Sequence, residues 1–313
     1  MQPIFLCRPR LVLFVVLMLL LGCSRRPAPP PSSPAEETKG QTVGISLATS
    51  DDPWRAQMKA DIEAAMAQHP QVKAAVMEAH NIGLQHDQLD GFLGGHAGVV
   101  IVTPMDAQGL TAPVAKLVDA GTAVIVLDRA VIGDKCTCFI AADPTEIGTA
   151  AGKWLAERLQ RKGNIVELRG PVGSLWAEDL HKAWRAALRD PGYHFVSEAR
   201  VDPPRVDAGK LMSQALGRVG KIDVVFAYDD AAAKAAYQAA KAAGREKGVL
   251  FVGVGGLPNE GAEYVAQGIL AATFLRPTGG TEAIAAAVKV LHGEKVPKKI
   301  VLPTRVIVKD KAR

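Results

Sequence analysis

The stretch VVIVTPMDAQGLTAPVAKLVDAGTAVIVLDR, residues 99–129, sets two short β-branched runs on either side of a segment with helical periodicity. A strand, a helix and a second strand in that order form the βα unit of a parallel sheet. The same alternation extends outward in both directions. Strands are expected at 43–48, 72–77, 98–102, 123–127, 138–141, 164–168, 193–200, 222–226, 249–253 and 270–274. Helical segments fill the gaps: Lys59, Asp61 and Glu63 decorate the one after Trp54, and the Ala-rich 230–243 is helical by propensity. A single ten-stranded sheet is one arrangement, but the polar, turn-rich segment 128–146 breaks the rhythm midway and suits two smaller sheets. The fold class is therefore α/β, with two doubly wound parallel-sheet lobes. The helix 278–293 and the run 300–308 return to complete them.

The N-terminus reads differently. Arg8 and Arg10 precede an apolar run from Leu11 to Leu21, followed by Gly22 and Cys23. That is the layout of a secretory signal, and the run is about half the ~20 residues that a membrane-spanning helix needs. Leu20-Leu21-Gly22-Cys23 resembles the bacterial lipobox, which implies cleavage before Cys23 and a diacylglyceryl group on its thiol. Ser24 at the second mature position resembles the pattern of lipoproteins sorted to an outer membrane, where the host has one. Residues 24–41, SRRPAPPPSSPAEETKGQ, are rich in Pro, Ser and charge without apolar periodicity and read as a tether. The expected protein is exported and lipid-anchored, facing the periplasm or cell exterior. About 270 residues remain for folding, enough for two domains.

Removal of Arg8 and Arg10 lowers the 37 basic residues to 35 against 32 acidic ones, a net charge of +3. The charges are interspersed and only 5% of residues are aromatic, so the footprint of a nucleic-acid binder is missing. Cys136 and Cys138 stand two apart. In a strand their Cα atoms would lie about 6.5 Å apart on one face, which leaves two small buried thiols, a strained bridge or a ligand role as readings. No metal-ligand spacing follows them, and neither a metal nor a cofactor is expected.

In open parallel sheets ligands sit beyond the carboxyl ends of the strands. Those ends read LATSDDPW (47–54), IVTPMD (101–106), VLDR (126–129), ELRGPVGS (167–174), FAYDD (226–230) and VGVGGLPN (252–259). Asp51, Asp52, Asp229 and Asp230 also suit helix N-caps, a role favoured over ligand contact for Asp51 and Asp230. Trp176 and His181 are candidate rim contacts, although such residues on an amphipathic helix more often pack or face solvent.

Taken in order, Ile101-Val102-Thr103-Pro104, Val126-Leu127-Asp128-Arg129, Phe226-Ala227-Tyr228-Asp229-Asp230 and Leu270-Ala271-Ala272-Thr273 resemble the periplasmic sugar-binding proteins of the ribose and galactose type. The resemblance runs from about Thr42 to Val308. It implies a type I periplasmic binding fold with an N-terminal lobe of 42–143 plus 276–298 and a C-terminal lobe of 144–275 plus 299–309. Three hinge crossings are then expected near 142–144, 274–278 and 297–301. Carried over by position, Asp128 accepts from sugar hydroxyls, Arg129 donates to them and Trp54 stacks on a ring face. Asp52, Asp229 and Arg276 fall at further contact positions.

The pattern departs from the family at four places. Gly255 stands where Asp is frequent, Leu180 where Arg is, Arg276 where Gln is, and Arg55 where a second aromatic is. These exchanges shift the expected cleft toward positive charge, so an anionic polyol stands beside a neutral sugar or cyclitol as the expected ligand. The resemblance further implies a monomer that presents its closed form to the permease of an ABC importer or, alternatively, to a chemoreceptor or sensor kinase.

Catalytic constellations fail to assemble. Gly253-Val254-Gly255-Gly256-Leu257-Pro258 puts Pro where a dinucleotide fingerprint wants Gly, and Ser174 lacks a nucleophile-elbow setting. An enzyme acting on a small carbohydrate is the minor alternative. A regulator of the same fold would need a helix-turn-helix where the signal and tether stand.

Overall fold

A computed structural model describes residues 42–49, 52–202 and 206–309. The expected signal and lipid site at 1–23, Cys23 included, the tether 24–41 and Asp51 lie outside these residues. The strands are β1 (Thr42–Ala48), β2 (Lys73–Ala79), β3 (Val99–Val102), β4 (Ala123–Leu127), β5 (Cys138–Ala142) and β6 (Gly163–Arg169). They continue with β7 (Tyr193–Arg200), β8 (Val224–Ala227), β9 (Leu250–Gly255), β10 (Ala272–Leu275), β11 (Lys299–Leu302) and β12 (Val306–Val308). The helices are α1 (Pro53–Ala67), α2 (Ile82–Gly94), α3 (Ala107–Asp119), α4 (Pro144–Leu159) and α5 (Leu175–Ala187). After them come α6 (Ala208–Arg218), α7 (Asp230–Ala242), α8 (Gly261–Ala266) and α9 (Gly280–Leu291).

All ten expected strands form, each within two residues at either end. They divide into two six-stranded sheets, ordered β11-β5-β4-β3-β1-β2 and β12-β10-β9-β8-β6-β7. β3 and β8 bury every side chain, as strands covered by helices on both faces must. In each sheet the order reverses at one place, β1 beside β3 and β6 beside β8, which opens a crevice at the strand ends.

The expected C-terminal boundary needs correction. β11 pairs parallel with β5 in the first sheet, and β12 pairs antiparallel with β10 in the second. Residues 299–302 thus belong to the first lobe, and the last crossing is 303–305 rather than 297–301. Pro303 supplies the physical reason: it has no N–H to extend a ladder, so the strand stops there and the chain changes sheets.

Helix packing depends on glycines at two contacts that shape the lobes. On α4 a Cβ at Gly148 would fall 2.5 Å from the Leu180 carbonyl oxygen, and one at Gly152 2.4 Å from the Ala187 Cβ. α4 and α5 therefore pack backbone to backbone, and α5 carries Trp184 stacked on Phe226 at 4.1 Å between centroids. Leu180, where the family often has Arg, is buried on this same helix. The buried Glu167 below it accepts from Trp184 Nε1 at 2.8 Å, His181 Nδ1 at 2.7 Å and Arg185 Nε at 2.7 Å. His181 is committed to that carboxylate and not to the cleft. Cys136 and Cys138 are buried, unbridged thiols, and burial pushes Cys138 up to about 11.

Candidate functional site

The ends of β4 and β10, and the first turns of α1 and α5, converge on one slot. Asp52 caps α1 by accepting from the Arg55 amide at 2.9 Å, with Pro53 starting the helix, so Trp54 is fixed in the first turn. Its indole Nε1 donates to the Arg276 carbonyl at 2.8 Å. Ser174 caps α5 by accepting from the Ala177 amide, which places Trp176 in the first turn of that helix. Arg276 follows β10, and its amide donates to the Gly255 carbonyl at 3.0 Å.

Asp128, directly after β4, has φ +67°, and the Arg129 amide reaches back to the Leu127 carbonyl at 2.9 Å. A non-glycine residue in so tight a turn is strained, and such strain gathers at functional sites. The turn aims the Asp128 carboxylate into the crevice.

Arg276 fills the slot. Its guanidinium carbon lies 3.8 Å from the Trp54 ring centroid and 4.3 Å from that of Trp176, and Nη2 donates to Asp128 Oδ1 at 2.6 Å. One guanidinium thus touches two indoles, one on a helix of each lobe, and a carboxylate. The space left beside it, lined by Trp54, Arg55, Thr103, Asp128 and Arg129 among others, is about 10 Å³, room for a single water. Trp176 Nε1 and Arg276 Nε are buried here without a hydrogen-bond partner.

A second wall comes from β8 and the segment after β9. Asp229 caps α7, accepting from the Ala232 amide at 2.6 Å, and hydrogen-bonds the Tyr228 hydroxyl. Burial, and behind it the charge of Asp52, raise the Asp229 carboxyl above its ordinary range. Glu260, just before α8, is raised by burial and then by the charges of Asp229 and Asp52. It makes no capping bond. Asp229 lies just after β8 and Glu260 between the neighbouring β9 and α8, so both stand at the carboxyl end of the second sheet, where the charge of Asp52 reaches each of them.

The expectation of a positively charged cleft is not met. Arg55 ion-pairs with Asp52 at 2.7 Å and Arg276 with Asp128, so both added guanidiniums are matched internally. Arg129 lines the slot, but it is exposed and donates to the Met105 carbonyl at 3.1 Å. Asp230 also departs from expectation. It does not cap its own helix; its Oδ2 accepts from the Gly256 amide at 2.6 Å and ties α7 to the end of β9.

Asp52, Trp54, Arg55, Asp128, Arg129 and Arg276 therefore meet as expected from sequence, and Asp229 joins them from the second lobe. The sequence does not single out Tyr228 or Glu260 as ligand contacts, and it favours packing for Trp176. Tyr228 lies inside FAYDD, and Glu260 is the first residue after VGVGGLPN. Among the described residues no group of three or more His, Cys, Asp or Glu is arranged to hold a metal ion.

Residues 43–295 match the periplasmic binding protein domain family. The chain is 25% identical over 298 residues to a ribose import binding protein of Bacillus subtilis (strain 168), covering 94% of this chain and 96% of the relative. It is 26% identical over 274 residues to a galactofuranose-binding protein of Escherichia coli (strain K12), covering 83% and 85%. Among solved structures, the fructose-binding periplasmic domain of a hybrid two-component system is 34% identical with a TM-score of 0.77, covering 86% of this chain and 90% of that one. A Caulobacter myo-inositol binding protein bound to myo-inositol is 25% identical with a TM-score of 0.77, covering 86% and 93%. The chain belongs to the periplasmic binding protein domain family and is a solute-binding protein of the two-lobed type I architecture, not an enzyme.

Proposed function

We propose that this protein captures a small sugar or sugar-like polyol between its lobes and delivers it to the membrane permease of an ABC-type importer. One observation carries the reading: the crevice sets two indole faces against unpartnered donors and a group of carboxylates. Trp176 Nε1 and Arg276 Nε need acceptors, whereas Asp128, Asp229 and Glu260 offer carboxylate oxygens. A hydroxyl both donates and accepts, and a ring of hydroxyls with C–H faces meets all of these demands together.

In this reading Trp54 and Trp176 hold the ring faces, Asp128 accepts from hydroxyls, and Arg276 and Arg129 donate once the ligand enters. Asp52 and Asp229 line the two sides, with Arg55 orienting Asp52. The crossings at 142–144, 274–278 and 303–305 act as hinges, and ligand favours the closed form by its differential affinity for it. Cys23 is the proposed lipid anchor that keeps the exported protein at the membrane. The importing relative from Bacillus subtilis supports delivery to a permease.

The test is a thermal-shift screen of the purified protein against neutral pentoses, hexoses, cyclitols, amino sugars, sugar acids and sugar phosphates. A ligand at 1,000 times its Kd stabilises by about 4.1 kcal/mol, a shift of roughly 10 °C for a chain of this size. No shift with any member, from protein shown to be free of copurified ligand, would remove the reading.

A further inference from the structure

We propose that the crevice selects an aminated polyol, a polyhydroxylated ring or chain carrying one primary ammonium, with Asp229 and Glu260 receiving that ammonium. This rests on the polyol reading and narrows it. The cations near the crevice are already held: Arg55 by Asp52, Arg276 by Asp128, Arg129 exposed and bonded to a carbonyl, and Lys234, which acts on Glu260 without an ion pair, over the Tyr264 ring at 4.3 Å. The carboxylates are in excess. Asp229 receives only neutral donors, the Ala232 amide and the Tyr228 hydroxyl, and Glu260 has no capping bond. Among the described residues neither carboxylate forms an ion pair. The strongest influence on both is burial; Asp52 then acts on each as a like charge, and Asp229 acts so on Glu260.

The aromatic slot points the same way from separate observations. The group it holds is itself a cation, seated between two indoles and bonded to a carboxylate. A ligand ammonium would supply the missing counter-charge for Asp229 and Glu260, and its hydroxyls would meet Trp176 Nε1 and Arg276 Nε. A sugar acid or phosphate would instead add a like charge beside two unpaired carboxylates.

The experiment is calorimetric titration of the purified full-length protein with three matched sets. They are D-glucose, D-glucosamine and D-glucuronate; D-galactose, D-galactosamine and D-galacturonate; and myo-inositol, an amino-deoxyinositol and inositol phosphate. The amino member of at least one set is expected to bind at least tenfold more tightly than its neutral and acidic partners. In Asp229→Asn and Glu260→Gln that ratio should collapse to within threefold of unity. If the neutral or acidic member is the tighter in every set that binds, the inference is overturned and the polyol reading stands. If no member of any set binds, the inference falls, and the wider screen with pentoses decides the polyol reading. Should either variant fail to fold, the ratio in the unaltered protein still decides.

Discussion

Arg276 Nη2 and Asp128 Oδ1 lie 2.6 Å apart, joining the end of a strand in one lobe to the end of a strand in the other across 148 residues of sequence. The Arg276 backbone is pinned on both sides, by its own amide to Gly255 and by its carbonyl to Trp54. Only the side chain is free to leave. Any ring that enters the slot must therefore lift the guanidinium off the two indoles.

That displacement is visible by fluorescence. Of the four tryptophans, Trp54 and Trp176 touch the guanidinium, whereas Trp154 packs on Phe274 and Trp184 on Phe226. A bound polyol is expected to change tryptophan emission, and the Trp54→Phe/Trp176→Phe double variant to lose that change. A full response in the double variant would contradict the placement of the slot.

Asp128 offers a test of its backbone that is separate from its charge. Asp128→Gly and Asp128→Ala both remove the carboxylate and should both lose ligand binding. Glycine, however, accepts φ +67° without strain, so the Gly variant is expected to be the more stable by about 1 kcal/mol. Urea midpoints compare the two directly. An Ala variant as stable as the Gly variant would contradict the turn.

Glu167 serves the fold, not the crevice. Its side chain is 2% exposed and gathers donors from Trp184, His181 and Arg185, so Glu167→Ala leaves all three facing a hole. A loss of about 3 kcal/mol is expected, because removing one partner of a buried charged network exposes the rest to an unpaired environment. Denaturant unfolding measures it. A change below 1 kcal/mol would show that the network contributes little to stability.

Asp230 gives the protein a pH-dependent term. Its carboxyl sits among Gly253, Gly255 and Gly261, where any Cβ would come within 2.6 Å of it, and burial pushes it up to about 7. A carboxyl raised in the folded state stabilises the fold most below its ordinary value of about 3.9 and loses that contribution as pH rises toward 7. Asp230→Asn never ionises, so it should be the more stable protein at pH 8, by as much as about 4 kcal/mol at 1.36 kcal/mol per unit. The two should converge near pH 4. Melting temperatures measured across that range test the sign, and parallel curves would contradict it.

The alternation of β-branched and helical segments was enough to locate ten strands and the division into two sheets, because period and turn residues are local properties of the chain. It misplaced the last crossing. The run 300–308 reads as one apolar stretch, yet its two halves pair with strands lying more than 150 residues and about 30 residues earlier. Strand pairing over such distances leaves no local trace, apart from Pro303. Seven of the site residues were legible for another reason: each follows a strand or opens the helix that comes after one, and the crevice of an open sheet is made of those positions.

What the sequence by itself determined was the α/β class, the strand ends and the residue types gathered there. The charge of the crevice was decided only by tertiary structure. Arg55 and Arg276, counted as free cations in the sequence, are each matched to a carboxylate, while Asp229 and Glu260 are left unmatched in buried surroundings. Local pattern says which groups exist, but whether a charge is available to a ligand depends on what lies within a few ångströms of it. That neighbourhood is assembled from both lobes, by contacts that bring Asp128 to Arg276 and Asp52 near Asp229 and Glu260 only when the whole chain has folded.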